Sequence, residues 1–305
     1  MNAQPSNSKP QFARLDNGLL VRAPGKINLY LLIADKRPDG FHNLETIMAK
    51  INLYDELFFE PSDDSEIELK CQGPHWAPDG KENLIYKAGK LFYEALGQKP
   101  SVKITLTKNM PAGSGLGSAS SDAASTLLGL NRFAQKQLPD EKLWAIAASL
   151  GSDVPFFLGG PLAFCSGRGE KIEKISEKMP FRALLIFPGI STSTKEVYEN
   201  FKVDLPLFET LKSQINRFIA QNRLDLMTNM CANMLAGVSF DLDSELANVK
   251  TYSDSICPTP VCLSGSGSSL FTIFADTDYL KIETAQRKIK ESLGCDSTIV
   301  FSNEW

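Results

Sequence analysis

Histidine is scarce in this 305-residue sequence. Only His42 and His75 are present, which excludes a histidine-rich metal site. The six cysteines (Cys71, Cys165, Cys231, Cys257, Cys262 and Cys295) stand apart, with no CxxC pair and no His/Cys cluster. That spacing argues against structural zinc and reads as buried or incidental thiols, so no resident metal is expected. No uninterrupted apolar run approaches the roughly 20 residues of a membrane span. The opening MNAQPSNSKPQFARL is polar and lacks the apolar core of a signal peptide. Excess positive charge is also missing: 32 Lys and Arg stand against 36 Asp and Glu, for a net charge of −4 and a pI near 5.4. A protein that holds nucleic acid through bulk positive charge is therefore excluded, and any anionic ligand must be held by local groups. The expectation is a soluble, cytoplasmic protein with neither nucleic-acid nor membrane partners. The sequence assigns no oligomeric state.

What is present is an ordinary globular composition, 43% apolar and 22% charged. The length is high for one core and comfortable for two domains, here 1–178 and 179–305. After a polar tail over 1–11, Leu19–Ala23 and Ile27–Ile33 read as short strands separated by a Pro24-Gly25 turn. Glu56–Glu60 and Ile67–Lys70 suggest a hairpin across Pro61–Ser65. Glu82–Leu96 has helical periodicity, with Leu84, Ala88, Leu91, Phe92 and Ala95 on one face. Val102, Ile104 and Leu106 alternate as in a half-buried strand. A helix is expected from about Ser120 and another over Asp140–Leu150, with Gly151 at its end. Further on, Arg182–Phe187 reads as a buried strand and Leu207–Phe218 as a helix. Val261–Ser264 and Leu270–Phe274 read as strands around a glycine turn.

The most informative segment is Pro111-Ala112-Gly113-Ser114-Gly115-Leu116-Gly117-Ser118-Ala119-Ser120-Ser121-Asp122. Its alternating glycines let backbone N–H groups approach a ligand, and the following helix adds unpaired N–H groups and the positive end of its dipole. The result is a neutral cradle for polyphosphate, with serine hydroxyls able to reach phosphate or Mg²⁺. The alternative is a glycine-rich turn that merely caps a helix. No GK[ST] closes the loop, and Ser118 stands where GxGxxG needs its third glycine, so the P-loop and Rossmann readings both fail.

Two charged residues can supply chemistry. Lys26, in Ala23-Pro24-Gly25-Lys26-Ile27-Asn28-Leu29, shares a strand face with Asn28. A lysine there can neutralise a transferring phosphoryl group, although a solvated surface lysine is the plain alternative. Asp153, in Gly151-Ser152-Asp153-Val154-Pro155, can orient an acceptor hydroxyl or simply cap a helix beginning at Pro155. Spacing alone does not bring the two together.

Taken together, APGKINL, PAGSGLGSASSDAA and the late turn Leu263-Ser264-Gly265-Ser266-Gly267-Ser268-Ser269 resemble the three ordered signatures of the GHMP kinase superfamily, over roughly residues 20–275. The segments Arg37–Leu44, Glu82–Ile85 and Gly151–Pro155 are similar to the branch whose substrate carries a cytidine diphosphate group. The resemblance implies a two-domain α/β (α+β) fold with the active site in the cleft between the domains, and ATP as co-substrate with Mg²⁺ carried by the nucleotide. It makes Lys26 and Asp153 the catalytic pair, with Asn28 nearby. His42 would bond the cytosine ring, and Phe41 and Tyr198 would stack on it. Asn83 and Lys108 would lie near the adenosine, Pro111–Ser121 would cradle the phosphates, and Gly265 and Gly267 would shape the phosphate-proximal turn. Gly25 stands where this branch usually has alanine, and Phe41 where it often has tyrosine. The competing readings are a related kinase for homoserine, mevalonate or a sugar, and a non-catalytic ligand sensor on the same fold.

Overall fold

The computed structural model describes residues 8–134, 137–176, 179–221 and 223–305. The boundary expected at residue 178 and the first seven residues of the expected tail lie outside the described residues.

A seven-stranded sheet dominates the N-terminal part. Its path runs β1 (Phe12–Leu15), β2 (Gly18–Lys36), β3 (His42–Pro61), β5 (Val102–Thr107), β4 (Ile67–Gln72), and β6 (Leu162–Gly167) links β3 to β7 (Lys171–Lys174). Two expectations fail here. Pro24-Gly25 is not a turn between strands: β2 runs unbroken for 19 residues. The register against β3 shifts between Pro24 and Lys26, so a bulge absorbs the proline that cannot donate to the ladder. The expected hairpin is also absent. β5 lies between β3 and β4, antiparallel to the first and parallel to the second. A parallel pair needs a crossover, and α1 (Leu84–Leu96) supplies it between β4 and β5.

The side chain of Asn83 starts α1 by accepting the Ile85 N–H at 2.9 Å, and Gly97 ends it at φ +67°. Its buried face is Ile85, Ala88, Phe92, Tyr93 and Leu96, rotated from the expected stripe because α2 (Ser118–Phe133) packs along its side. α3 (Asp140–Leu150) forms as expected, and α4 (Val154–Leu158) follows it closely. These four helices bury one face of the sheet in a core that includes Phe59, Phe92, Leu127 and Phe156.

A second, four-stranded antiparallel sheet runs β11 (Asp296–Phe301), β8 (Arg182–Phe187), β10 (Leu270–Phe274), β9 (Cys262–Leu263). Around it lie α5 (Thr194–Asn200), α6 (Leu205–Ala220), α7 (Leu224–Asn229), α8 (Ala236–Leu242), α9 (Ser244–Ile256) and α10 (Tyr279–Leu293). Ala183 and Leu185 of β8 join Ile27, Leu29 and Leu31 of β2 in a core between the sheets. The alternate residues Leu184 and Ile186 face Leu246, Ile282 and Ile289 on the other side.

The cysteines correct a further expectation. Cys231 and Cys262 form a disulfide with Cα atoms 4.9 Å apart, tying the turn after α7 to β9. The pair is separated by 31 residues, so no short motif announces it. Among the described residues no helix is long and apolar enough to cross a membrane.

Candidate active site

The register shift opposite Gly25 places Lys26 directly behind the glycine loop, where its N–H donates to Leu116 O at 2.9 Å. The Lys26 ammonium is buried and donates to Asn28 Oδ1 at 2.6 Å. Asn28 is held in turn: its Nδ2 donates to Thr46 Oγ1 at 2.9 Å, and that hydroxyl donates to Tyr30 O at 2.5 Å. The Asp153 Oδ2 stands 3.8 Å from Lys26 Nζ. Asp153 occupies the N-cap position of α4, yet its side chain makes no capping hydrogen bond. The carboxylate is therefore left for Lys26 and the cleft. Burial lowers the Lys26 pKa, and the Asp153 charge partly restores it.

Gly113, Gly115 and Gly117 all adopt left-handed conformations, at φ +67°, +76° and +66°. At Gly115 contact is decisive as well, because a Cβ there would lie 2.1 Å from Ser264 O. The loop is thus pressed onto the late glycine turn, with Ser264 Oγ donating to Gly115 O at 3.0 Å. Ser269 N–H donates to Ser114 O at the same distance. Asn233 braces the turn from behind by donating to Leu263 O at 2.9 Å and Gly265 O at 2.7 Å. Gly117 is the N-cap of α2 and offers no side-chain cap, so the first-turn N–H groups remain for a ligand. They open on a cavity of 330 Å³ lined by Lys26, Asn28, Asp153, Ser118, Ser120 and Gly265, among others.

A second cavity, of 560 Å³, contains Phe41, His42, Tyr198 and Arg168. It shares Leu44, Asp153, Thr194 and Tyr198 with the first, so the two form one cleft with Asp153 at the junction. The His42 and Tyr198 rings lie 5.7 Å apart, inclined at 32°. Phe41 is 48% exposed, with the Arg168 guanidinium 5.2 Å from its ring centre. Burial, then the charge of Lys36, lowers the His42 pKa, favouring the neutral ring. Burial raises the Tyr198 phenol well above its ordinary value, with Asp153 adding to the effect.

The remaining expected site residues are placed as follows. Pro111, Ala112, Leu116, Ser121 and Gly267 shape the loop and the turn without lining the first cavity. Asn83 and Lys108 line neither cavity. Asn83 caps α1 and donates to Pro78 O at 2.8 Å. The Lys108 ammonium is buried between Asp55 at 2.5 Å, Asp122 at 2.6 Å and Ser118 Oγ at 3.0 Å. Sequence reasoning missed Thr46, Arg168 and the pair Thr194–Ser266, whose hydroxyls meet at 2.8 Å in the lining of the first cavity. Thr46 was findable: His42, Leu44, Thr46 and Met48 alternate along β3 and so face one side.

Comparison with known proteins places the chain in a family. Residues 83–161 match the GHMP kinases N terminal domain. The 4-diphosphocytidyl-2-C-methyl-D-erythritol kinase of Syntrophus aciditrophicus is 36% identical over 266 residues, which is 86% of this chain and 92% of that one. A crystal structure of 4-(cytidine 5'-diphospho)-2C-methyl-D-erythritol kinase superposes with a TM-score of 0.72 at 32% identity, covering 93% of this chain and 99% of its own. The homoserine kinase of Cytophaga hutchinsonii superposes as well, with a TM-score of 0.73 over 97% of this chain and 98% of its own. At 18% identity that match speaks for the fold alone. With a relative this similar along nearly its full length, the chain belongs to the 4-diphosphocytidyl-2-C-methyl-D-erythritol kinase family of ATP-dependent GHMP kinases.

Proposed function

We propose that this kinase transfers the γ-phosphoryl group of ATP to the 2-hydroxyl of 4-diphosphocytidyl-2-C-methyl-D-erythritol, as a cytoplasmic step of non-mevalonate isoprenoid precursor synthesis. One observation carries the reading: a single cleft joins an N–H-lined cradle to an aromatic pocket, with Asp153 at the junction. The ATP phosphates lie against Gly113–Ser120 and the start of α2. The cytosine lies between Phe41 and Tyr198, and His42 reads its edge. Stacking is worth roughly 1–3 kcal/mol per base and tolerates any base, so the His42 bond supplies the preference.

Asp153 orients the acceptor hydroxyl and takes its proton as the oxygen bonds to phosphorus and the bond to the ADP oxygen breaks. Lys26, buried, fixed by Asn28 and 3.8 Å from the Asp153 carboxylate, neutralises charge on the transferring group. Ser118 and Ser120 line the cradle, and their hard oxygen donors suit Mg²⁺. When bound with the nucleotide, that ion neutralises phosphate charge. In this reading residues 1–178 form the nucleotide-binding and catalytic domain, and 179–305 the domain that closes the cleft.

The test is ADP release with ATP, Mg²⁺ and the cytidylated substrate, beside parallel reactions with homoserine, mevalonate and galactose. Turnover is expected with the first alone. Asp153→Asn should lower kcat by about 10²–10⁴-fold and leave ATP affinity unchanged. Turnover only on another alcohol would discard the cytosine pocket, and ATP binding without turnover on any acceptor would favour the ligand sensor.

A further inference from the structure

Lys50 is a buried cation that the proposed chemistry does not use. It lies on β3 opposite Lys26 of β2 and is 1% exposed. Its own backbone is pinned on both sides, donating to Pro161 O and accepting from Asn303 N–H, each at 2.8 Å. A buried ammonium ordinarily needs a carboxylate. Among the described residues Lys50 has no such ion partner, and burial alone pushes its pKa down to about 7. Its Nζ instead donates to Gly159 O at 2.8 Å and Phe157 O at 3.2 Å. The Phe156 and Trp305 ring centres lie 5.9 and 5.8 Å away.

Those two carbonyls belong to the C-terminal end of α4, and Asp153 stands at its other end. Between them Val154, Pro155, Phe156 and Phe157 are all buried, and such close packing transmits a displacement at one end of the short helix to the other. Carbonyls at a helix end lack intrahelical donors, and a cation there satisfies them and complements the dipole. Lys26 and Lys50 thus grip α4 from neighbouring strands, the first at its carboxylate and the second at its base.

We infer that Lys50 is a positioning residue, which seats the C-terminal end of α4 and thereby sets where the Asp153 carboxylate stands relative to Lys26 and the acceptor hydroxyl. The inference rests on the proposed role of Asp153. It accounts for why a lysine occupies a site where an apolar residue of similar volume would fold with less desolvation cost.

The experiment is a four-member cycle of parent, Lys50→Met, Asp153→Asn and the double variant, with Lys50→Gln as the donor-retaining control. Lys50→Met keeps the volume and removes the donors. It should lower kcat about 10- to 100-fold with both KM values within about twofold, because misplacing a reacting group costs turnover rather than binding. Its melting temperature should not fall. Lys50→Gln should recover part of the lost kcat, since its amide can still donate to the two carbonyls. In the Asp153→Asn background Lys50→Met should cost nothing further. Parental kcat in Lys50→Met, or fully multiplicative losses in the double variant, would overturn the inference and leave the role of Asp153 intact. Undiminished turnover by Asp153→Asn alone would overturn that role, and the inference with it. Should Lys50→Met fail to fold, the same cycle is run with Lys50→Ile and Lys50→Gln, and full additivity in both again overturns it.

Discussion

Lys26 and Lys50 are cross-strand neighbours, yet their surroundings set them to different tasks. Lys26 has Asn28 and Asp153 to offset burial, whereas Lys50 has two carbonyl oxygens and two aromatic rings and, among the described residues, no carboxylate. The folded pKa of Lys50, about 7, lies below its unfolded value of about 10.5. The folded state then binds fewer protons than the unfolded state between these values, so stability rises with pH across that window. The cost is fully present below pH 7 and vanishes above about 10.5. The stability advantage of Lys50→Met over the parent should therefore shrink between pH 7 and pH 9.5, as measured by urea unfolding at each pH. An advantage independent of pH would place the proton elsewhere. His42 titrates with a consequence for binding in the same direction, acid being unfavourable. Its pKa is lowered by burial, so the ring is neutral and can accept a hydrogen bond at pH 7. His42→Ala should raise KM for the cytidylated substrate by about 10-fold, the worth of one buried hydrogen bond, with kcat little changed. For the parent, KM should begin to rise only below pH 6.5, the ordinary histidine value being about 6.5.

The phosphate loop owes its position to what lies beneath it. α2 begins under the loop, and its first turn is held down where Lys108 meets Asp122 and Ser118 on the helix and Asp55 on β3. Asp55 also accepts the N–H groups of Asn109 and Met110 at 2.6 and 2.9 Å, fixing the strand end from which the loop departs. Burial, reinforced by Asp55 and countered by Lys108, holds the Asp122 carboxyl above the usual range. Removing the shared cation would leave two buried carboxylates facing each other. Lys108→Met should accordingly cost about 3–5 kcal/mol in urea unfolding. A loss below about 1 kcal/mol would mean that the cluster does not anchor the helix. On the other side of the loop, the 2.1 Å approach that a Gly115 Cβ would make to Ser264 O shows how tightly the two glycine turns are seated.

Across the chain, the two sheets are not independent bodies. One apolar core contains Ile27 and Leu29 of β2 together with Leu185 of β8 and Phe271 of β10. Backbone pairs reinforce it: Leu31 exchanges hydrogen bonds with Ala232 and Met234, and Asn303 donates to Lys50 O. At the chain end, the Trp305 ring stacks on Tyr54 with centroids 5.7 Å apart. Shared burial of this kind makes separate unfolding of either part costly. Calorimetry should show a single transition whose van't Hoff and calorimetric enthalpies agree. Two resolved transitions would mean that the sheets fold on their own and that the shared core couples them weakly.

Much of this protein was legible from local order along the chain. The alternation of Val102, Ile104 and Leu106, the limits of α3 and the glycine spacing of 113–117 depend on neighbours a few residues apart, and such patterns survive in sequence. Candidate chemistry was legible too, since Lys26, Asp153 and His42 stand in recognisable segments. What the fold added came from residues distant in sequence. Pro24-Gly25 reads as a turn until β3 pairs alongside and holds it within one continuous strand beside a register shift. The edge of β3 opposite β2 falls to β5 rather than β4 because a parallel crossover, not the short turn, connects β4 onward. Cys231 and Cys262 meet only after α7 and β9 have packed. Whether Asp153 capped a helix or faced Lys26 was likewise settled in three dimensions, where its carboxylate makes no cap bond and stands 3.8 Å from the ammonium. Propensity and hydrophobic period act over one turn or one strand, while pairing partners, disulfides and the convergence of charges are products of long-range packing.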